Sequence, residues 1–202
     1  MLRFLGFYKF SNCKKNLDTH GGINKSNSNP TKKLILSEWL EYQGLRGCSM
    51  EPFSTEPVTL IEEVFPQDTN AYDTLFGGRL LSLMDKAAGI TCSKFAHREF
   101  VTISIDTLEF KAPARQGDLI EVTGKVVFTS THTACTKVTA YAMNKSNWSR
   151  IMICQGYFFM VAIDNQMRPI PIPQFAPETE EERQEYANAI EIRNHMLRKK
   201  SV

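Results

Sequence analysis

The stretch NAYDTLFGGRLLSLMD, residues Asn70 to Asp85, sets an amide, a glycine pair and a carboxylate at fixed spacing. Each of these residue types can do chemistry. After Gly77-Gly78, the residues Leu80, Leu81, Leu83, Met84, Ala87, Ala88 and Ile90 leave almost no polar face, which predicts a helix inside a core. A charge there costs several kcal/mol unless something compensates it, so Asp85 needs a reason. A positioned carboxylate can act as a general base. The glycine pair opens the helix, so its backbone N–H groups lack intrahelical acceptors and face incoming negative charge. Each element also has a plainer reading. Gly-Gly can be a tight helix entry, Asn70 a local turn former, and Asp85 an ionic partner of Arg79 or Lys86. Neither of those cations is at a favourable helical spacing from Asp85.

The elements that must hold these residues are legible on either side. VTLIEEVF, from Val58, reads as a first strand, PQDTNAYD as a polar turn, and Phe76 to Phe95 as the long helix. In VTISIDTLEF the apolar residues alternate at Val101, Ile103 and Ile105, then change phase to Leu108 and Phe110, as a β-bulge near Asp106–Thr107 would make them. LIEVTGKVVF alternates at Ile120, Val122, Gly124, Val126 and Phe128. TSTHT then makes a turn into ACTKVTAYAM, a hairpin. IMICQGYFFMVAI is apolar on both faces, as an interior strand would be. The prolines of PIPIPQFAP favour extended chain, and a charged helix with an acidic start and a basic end closes the sequence. Strand, apolar helix and four strands with hairpin-length connections predict an α+β fold. Its antiparallel sheet would wrap around the long central helix.

The 202 residues suffice for one substantial core, and 42% hydrophobic with 23% charged residues is ordinary globular composition. Residues 1–49 carry eight Lys or Arg against three Asp or Glu, while the remainder carries 16 against 19. The part expected to fold is thus mildly acidic, which argues against a nucleic-acid surface. Residues 1–49, rich in Asn, Ser, Gly and Lys, are expected to be a disordered basic extension with a short helix around Leu34–Tyr42. A mitochondrial presequence is the second reading of that segment, and an extension ahead of Met50 the first. Cys13, Cys48, Cys92, Cys135 and Cys154 show no CxxC pair, which fits reduced intracellular thiols better than disulfides or zinc. Cys92 and Cys154 are expected in the core rather than as nucleophiles. The longest apolar run, Ile151 to Ile163, is too short to span a bilayer.

PQDTNAYDTLFGGRLLSLMDKAAGI, VTISIDTLEFKAPARQGDLIEVTGKV and FFMVAIDNQMRPIPIP together resemble the single-hotdog acyl-CoA thioesterases, the bacterial YciA-like group and its eukaryotic relatives. The resemblance runs from about Pro57 to Glu182, and the combination N-x₅-FGG-x₅-MD is its most specific part. It implies a hotdog domain over residues 50–177, followed by the charged helix over 178–202. It also implies hydrolysis of acyl-CoA, with Asp85 as general base or nucleophile and Asn70 orienting water or carbonyl. Gly77 and Gly78 would meet the thioester, and Phe76, Thr102, Phe110, Thr131, His132 and Thr133 are further substrate-binding candidates. No metal or separate cofactor is implied, since CoA is part of the substrate.

Asp85 lies two helical turns beyond Gly78, a rise of roughly 10 Å. One chain is therefore not expected to bring both to one carbonyl. The resemblance accordingly implies a homodimer with shared sites, assembled as three dimers in a hexamer. A cytoplasmic location is expected, or a mitochondrial one if residues 1–49 act as a presequence. Two turns depart from the pattern. Tyr72-Asp73-Thr74 replaces the usual Gly-rich residues before FGG. Ser130-Thr131-His132-Thr133 replaces a Gly-Arg-Ser-Ser turn that meets CoA, leaving His132 as a substitute for the arginine. The competing readings are a non-catalytic acyl-CoA-binding module and a hotdog hydratase or dehydratase. The latter would need a histidine on or before the helix, where this chain has Phe76.

Overall fold

The structure is a computed structural model that describes residues 54–199. The expectations for residues 1–49, including the short helix around Leu34–Tyr42, lie outside the described residues, as do Cys13 and Cys48. The elements run β1 (Val58–Glu63), a 3₁₀ turn (Pro66–Asp68), α1 (Gly77–Ala96), β2 (Glu99–Phe110), β3 (Leu119–Thr129), β4 (Thr133–Met143), β5 (Arg150–Ile163) and α2 (Glu180–Lys199). The five strands form one antiparallel sheet in the order β1-β3-β4-β5-β2. Only β3–β4 and β4–β5 are hairpins between sequence neighbours. The segment after β2 crosses the sheet instead, so β2 becomes an edge, paired only with β5 among the described residues.

Helix α1 fills the concave face with Leu80, Leu83, Met84, Ala87, Ala88, Cys92 and Phe95, all buried. It can lie close because Gly124 faces it. A Cβ on Gly124 would stand 2.5 Å from Thr91 Oγ1 and 3.3 Å from the Ala87 carbonyl. The helix is less apolar in its surroundings than its sequence predicts. Ser82, Lys86 and Ile90 are exposed, because the sheet covers one side of α1 and the described chain leaves the other open.

The bulge expected near Asp106–Thr107 is present. The β2–β5 register shifts between Asp106 and Glu109, and Thr107 takes φ 52°. A second shift falls between Thr102 and Ser104. In β3 the expected alternation ends early. A register shift between Val126 and Phe128 turns Phe128 to the outer face, into a cluster with Val127, Cys135, Tyr157 and Phe159. There α2 covers the sheet. Tyr186 meets the Phe128 ring at 5.3 Å, and Glu185 accepts hydrogen bonds from Lys137 Nζ (2.6 Å) and Tyr157 OH (2.9 Å). Among the described residues no helix is long and apolar enough to cross a membrane.

Candidate active site

The segment between β1 and α1 is folded by its own hydrogen bonds. Phe76 N–H donates to the Asp68 carbonyl (2.8 Å), a bridge pairs Thr69 with Leu75, and Asn70 N–H donates to the Thr74 carbonyl (2.8 Å). At the tip, Asn70 Oδ1 accepts from Tyr72 N–H (2.9 Å), Thr74 N–H (3.3 Å) and Thr74 Oγ1 (3.1 Å). The turn-forming reading of Asn70 is therefore realised, and it has a chemical consequence. With the oxygen occupied by backbone donors, the side chain offers its Nδ2 amide as a donor and nothing as an acceptor. Asp73 holds φ 56°, the left-handed conformation that glycine occupies at no steric cost and aspartate tolerates. Arg79 ties this turn to the helix, its Nε 3.0 Å from Asp68 Oδ1 and its Nη2 2.6 Å from Glu62 Oε2. It is thus no partner of Asp85, and Lys86 also turns to Glu62, at 3.5 Å.

Helix α1 starts without a side-chain cap. Its cap residue is Phe76, and the N–H groups of Gly77 and Gly78 have no acceptor among the described residues. Gly78 is crowded by its neighbour, whereas Gly77 has room for a Cβ. A Cβ on Gly78 would fall 2.5 Å from the Phe76 ring, and one on Gly77 3.5 Å from the Phe110 ring. Phe76 and Phe110 are both more than half exposed and flank the glycine pair. Beside it opens an apolar cleft of about 430 Å³.

Two turns along α1, Asp85 is half-buried, and Thr102 Oγ1 on β2 donates to its Oδ1 at 2.5 Å. A hydrogen bond to a charged acceptor contributes about 1.5–3 kcal/mol, and this one compensates the carboxylate without neutralising it. Thr102 thereby acquires a role the sequence reading did not give it. Its place in the alternation of VTISID, opposite the strand's apolar positions, was the available signal. The sequence reading gives Asp68 no role and offers Arg79 only as a partner of Asp85, since ion pairs over eleven or seventeen residues leave no periodic trace.

The Ser130–Thr133 turn lies at the other end of the sheet. Its Ser130 N–H donates to the Thr133 carbonyl (2.7 Å), and Thr133 pairs with Val161 of β5, whereas Gly77 sits near Ile153. The carbonyls of Thr131 and His132 accept from Ile172 and Ala162, both at 2.9 Å, so these carbonyls are engaged within the fold. His97, the exposed residue after α1, is its left-handed cap and stands away from the glycine pair. Cys92, Cys135 and Cys154 are buried, and burial holds their thiols protonated: Cys92 is pushed up to about 12, Cys154 to about 11, and Cys135 well above the usual thiol range. Cys92 and Cys154 are core residues, as expected, Cys135 joins them, and none is a thiolate nucleophile.

Residues 72–145 match the thioesterase superfamily. The uncharacterized acyl-CoA thioester hydrolase YkhA of Bacillus subtilis is 32% identical over 143 residues, 71% of this chain and 83% of that protein. The chain belongs to the thioesterase superfamily. The cytosolic acyl coenzyme A thioester hydrolase of Rattus norvegicus is 30% identical over 130 residues, 63% of this chain and 34% of that longer protein. Among solved structures, an apo-hexameric acyl-CoA thioesterase superposes with a TM-score of 0.70 at 32% identity, covering 75% of this chain and 97% of that one. An acyl-CoA hydrolase of Staphylococcus aureus, in complex with butyryl coenzyme A, coenzyme A and coenzyme A disulfide, gives 0.66 at 30% identity, with 75% and 94% covered. The hotdog arrangement of sheet and central helix is thus the fold of this chain.

Proposed function

We propose that this protein hydrolyses acyl-CoA thioesters to a free carboxylic acid and CoA. Asp85 activates the attack on the thioester carbonyl, as general base for water or as nucleophile. The N–H groups of Gly77 and Gly78 and the Asn70 Nδ2 amide receive the oxyanion. The C–S bond then breaks, and the CoA sulfur leaves with a proton. A carboxylate for attack and preorganised donors for the developing charge are what acyl transfer requires. The carrying observation is the Asp85–Thr102 hydrogen bond on the face of α1 left open by its own sheet. The Staphylococcus aureus relative has been solved as alanine variants of an asparagine, of an aspartate fifteen positions later, and of a threonine seventeen positions after that. Asn70, Asp85 and Thr102 stand at the same intervals.

The active unit is a dimer that shares its sites. Along β2, Thr102 marks the Asp85 end and Phe110 the glycine end. Two β2 edges paired antiparallel about a two-fold axis lay the Thr102 half of one chain against the Phe110 half of the other. One chain's carboxylate then meets its partner's oxyanion donors. Twelve residues of edge with half-exposed Ile103 supply the surface for that pairing. Three such dimers make the hexamer. In the described chain no histidine stands at the glycine pair to serve a hydratase.

The test is release of free thiol from a panel of acyl-CoAs. The wild-type protein turns over, and Asp85→Asn retains fold and oligomer while losing about 10²-fold or more in kcat, the scale of a missing general base. Near-normal hydrolysis by the variant would remove Asp85 from the mechanism. Binding without turnover by the wild type would favour the acyl-CoA-binding module.

A further inference from the structure

The cleft beside Gly77 has walls from Leu75, Leu80, Phe110, Ala112 and Ile153. Leu80 and Ile153, both buried, face it from the core. The backbone of the walls is already paired: Leu75 N–H donates to the Ala114 carbonyl (2.9 Å), and Lys111 N–H donates to the Ile153 carbonyl (2.8 Å). The one charged side chain at the rim, Lys111, is engaged by Glu109 at 3.2 Å. A CoA thioester carries two kinds of chain on its carbonyl and sulfur, an apolar acyl chain and a pantetheine arm with two amides. An amide buried without a partner is strongly disfavoured, and beyond the free Gly77 N–H at its mouth this cleft is walled by the apolar side chains of Leu75, Leu80, Phe110, Ala112 and Ile153.

We infer, resting on the thioester-hydrolase reading, that the Leu75–Ala112–Ile153 cleft is the acyl-chain subsite and sets the chain-length preference. Gly77 lies at its mouth, so the carbonyl is held by the glycine N–H groups while the acyl chain runs inward and the pantetheine arm runs out past the exposed rings of Phe76 and Phe110. At ~30 Å³ for a group the size of a water molecule, 430 Å³ admits a straight chain of about fourteen carbons. The buried side chains of Leu80 and Ile153 stop anything longer. The preferred substrates are straight, unsubstituted acyl-CoAs, and chains ending in a carboxylate are rejected because the cleft has no free cation to receive one.

The experiment measures kcat/KM for acetyl-, butyryl-, octanoyl-, decanoyl- and palmitoyl-CoA with wild-type protein and Ala112→Phe, alongside calorimetric binding of octanoyl-CoA and free CoA. Ala112→Leu is the milder plug, used if the phenylalanine variant fails to fold. Wild-type kcat/KM rises by about fourfold per methylene while the cleft fills, and levels or falls beyond about fourteen carbons, so palmitoyl-CoA gains nothing over the length that fills the cleft. The plug leaves acetyl- and butyryl-CoA within about twofold and lowers octanoyl- and decanoyl-CoA at least tenfold. Equal losses at every chain length with weakened binding of free CoA would place pantetheine in the cleft and overturn the inference. An unchanged profile in the plugged variant would overturn it as well. Wild-type protein that binds octanoyl-CoA tighter than free CoA, with that difference abolished by the plug, but turns nothing over would sink the hydrolase reading and leave the subsite standing. Loss of both binding and turnover in the wild type would overturn both.

Discussion

The start and the middle of the central helix differ in what they leave unsatisfied. At the start of α1, Gly77 and Gly78 present backbone donors with no acceptor among the described residues, and the neighbouring Asn70 has its oxygen occupied and its Nδ2 amide to give. Two turns on, Asp85 presents a carboxylate with a single hydroxyl, that of Thr102, donating to it. The start holds surplus donors and the middle a surplus acceptor, roughly 10 Å apart along one rigid helix. A rigid helix cannot fold these two positions together, and in the proposed dimer another copy supplies the complement of each. The chemistry of hydrolysis is divided in the same way, with attack at one position and charge stabilisation at the other.

The Asp85 position is the more sensitive of the two. After Asp85→Asn, the next largest effect is expected from Thr102→Val, which keeps the shape and deletes the donor. A lost hydrogen bond to a charged group corresponds to about tenfold or more in kcat, with KM little changed because Thr102 holds Asp85 rather than substrate. A KM rise at constant kcat would mean that Thr102 binds substrate, the role the sequence resemblance gave it. At the donor end, a small effect on stability separates conformation from chemistry. Asp73→Val places a β-branched residue at φ 56° and is expected to cost roughly 1–2 kcal/mol in urea unfolding. Asp73→Gly keeps stability and turnover near wild type. Equal tolerance of both would mean that the turn does not hold its left-handed residue in solution.

The glycine pair, the carboxylate and the elements that carry them were legible because each leaves a local or periodic mark. The β2 bulge is one example: a change of alternation phase between Ile105 and Leu108 placed it, and the register shift between Asp106 and Glu109 is there. Periodicity also misled. Val126 to Phe128 keeps alternating in sequence, yet a register shift sends Phe128 outward to Tyr186. The open side of α1 read as core because an apolar residue such as Ile90 looks the same in a sequence whether the sheet covers it or not. What stayed hidden was pairing over distance: the Arg79 bond to Asp68, the Thr102 hydroxyl on Asp85, and the carbonyls of the Ser130–Thr133 turn spent on residues 162 and 172. No spacing rule connects such residues, since the fold alone makes them neighbours.

The central claim is that each site is completed by two chains, and subunit mixing tests it most directly. Asp85→Ala and Asn70→Ala are each prepared as inactive homo-oligomers, then exchanged under mild denaturant and refolded together, with exchange verified by a mass tag on one variant. A mixed dimer has one site carrying both lesions and one carrying neither. At random reassortment half the dimers are mixed, so about a quarter of wild-type kcat is expected to return, at the wild-type KM, as the statistics of two-fold dimers require. Verified exchange with no recovered thiol release would contradict the account and place Asp85 and Asn70 in one site within one chain.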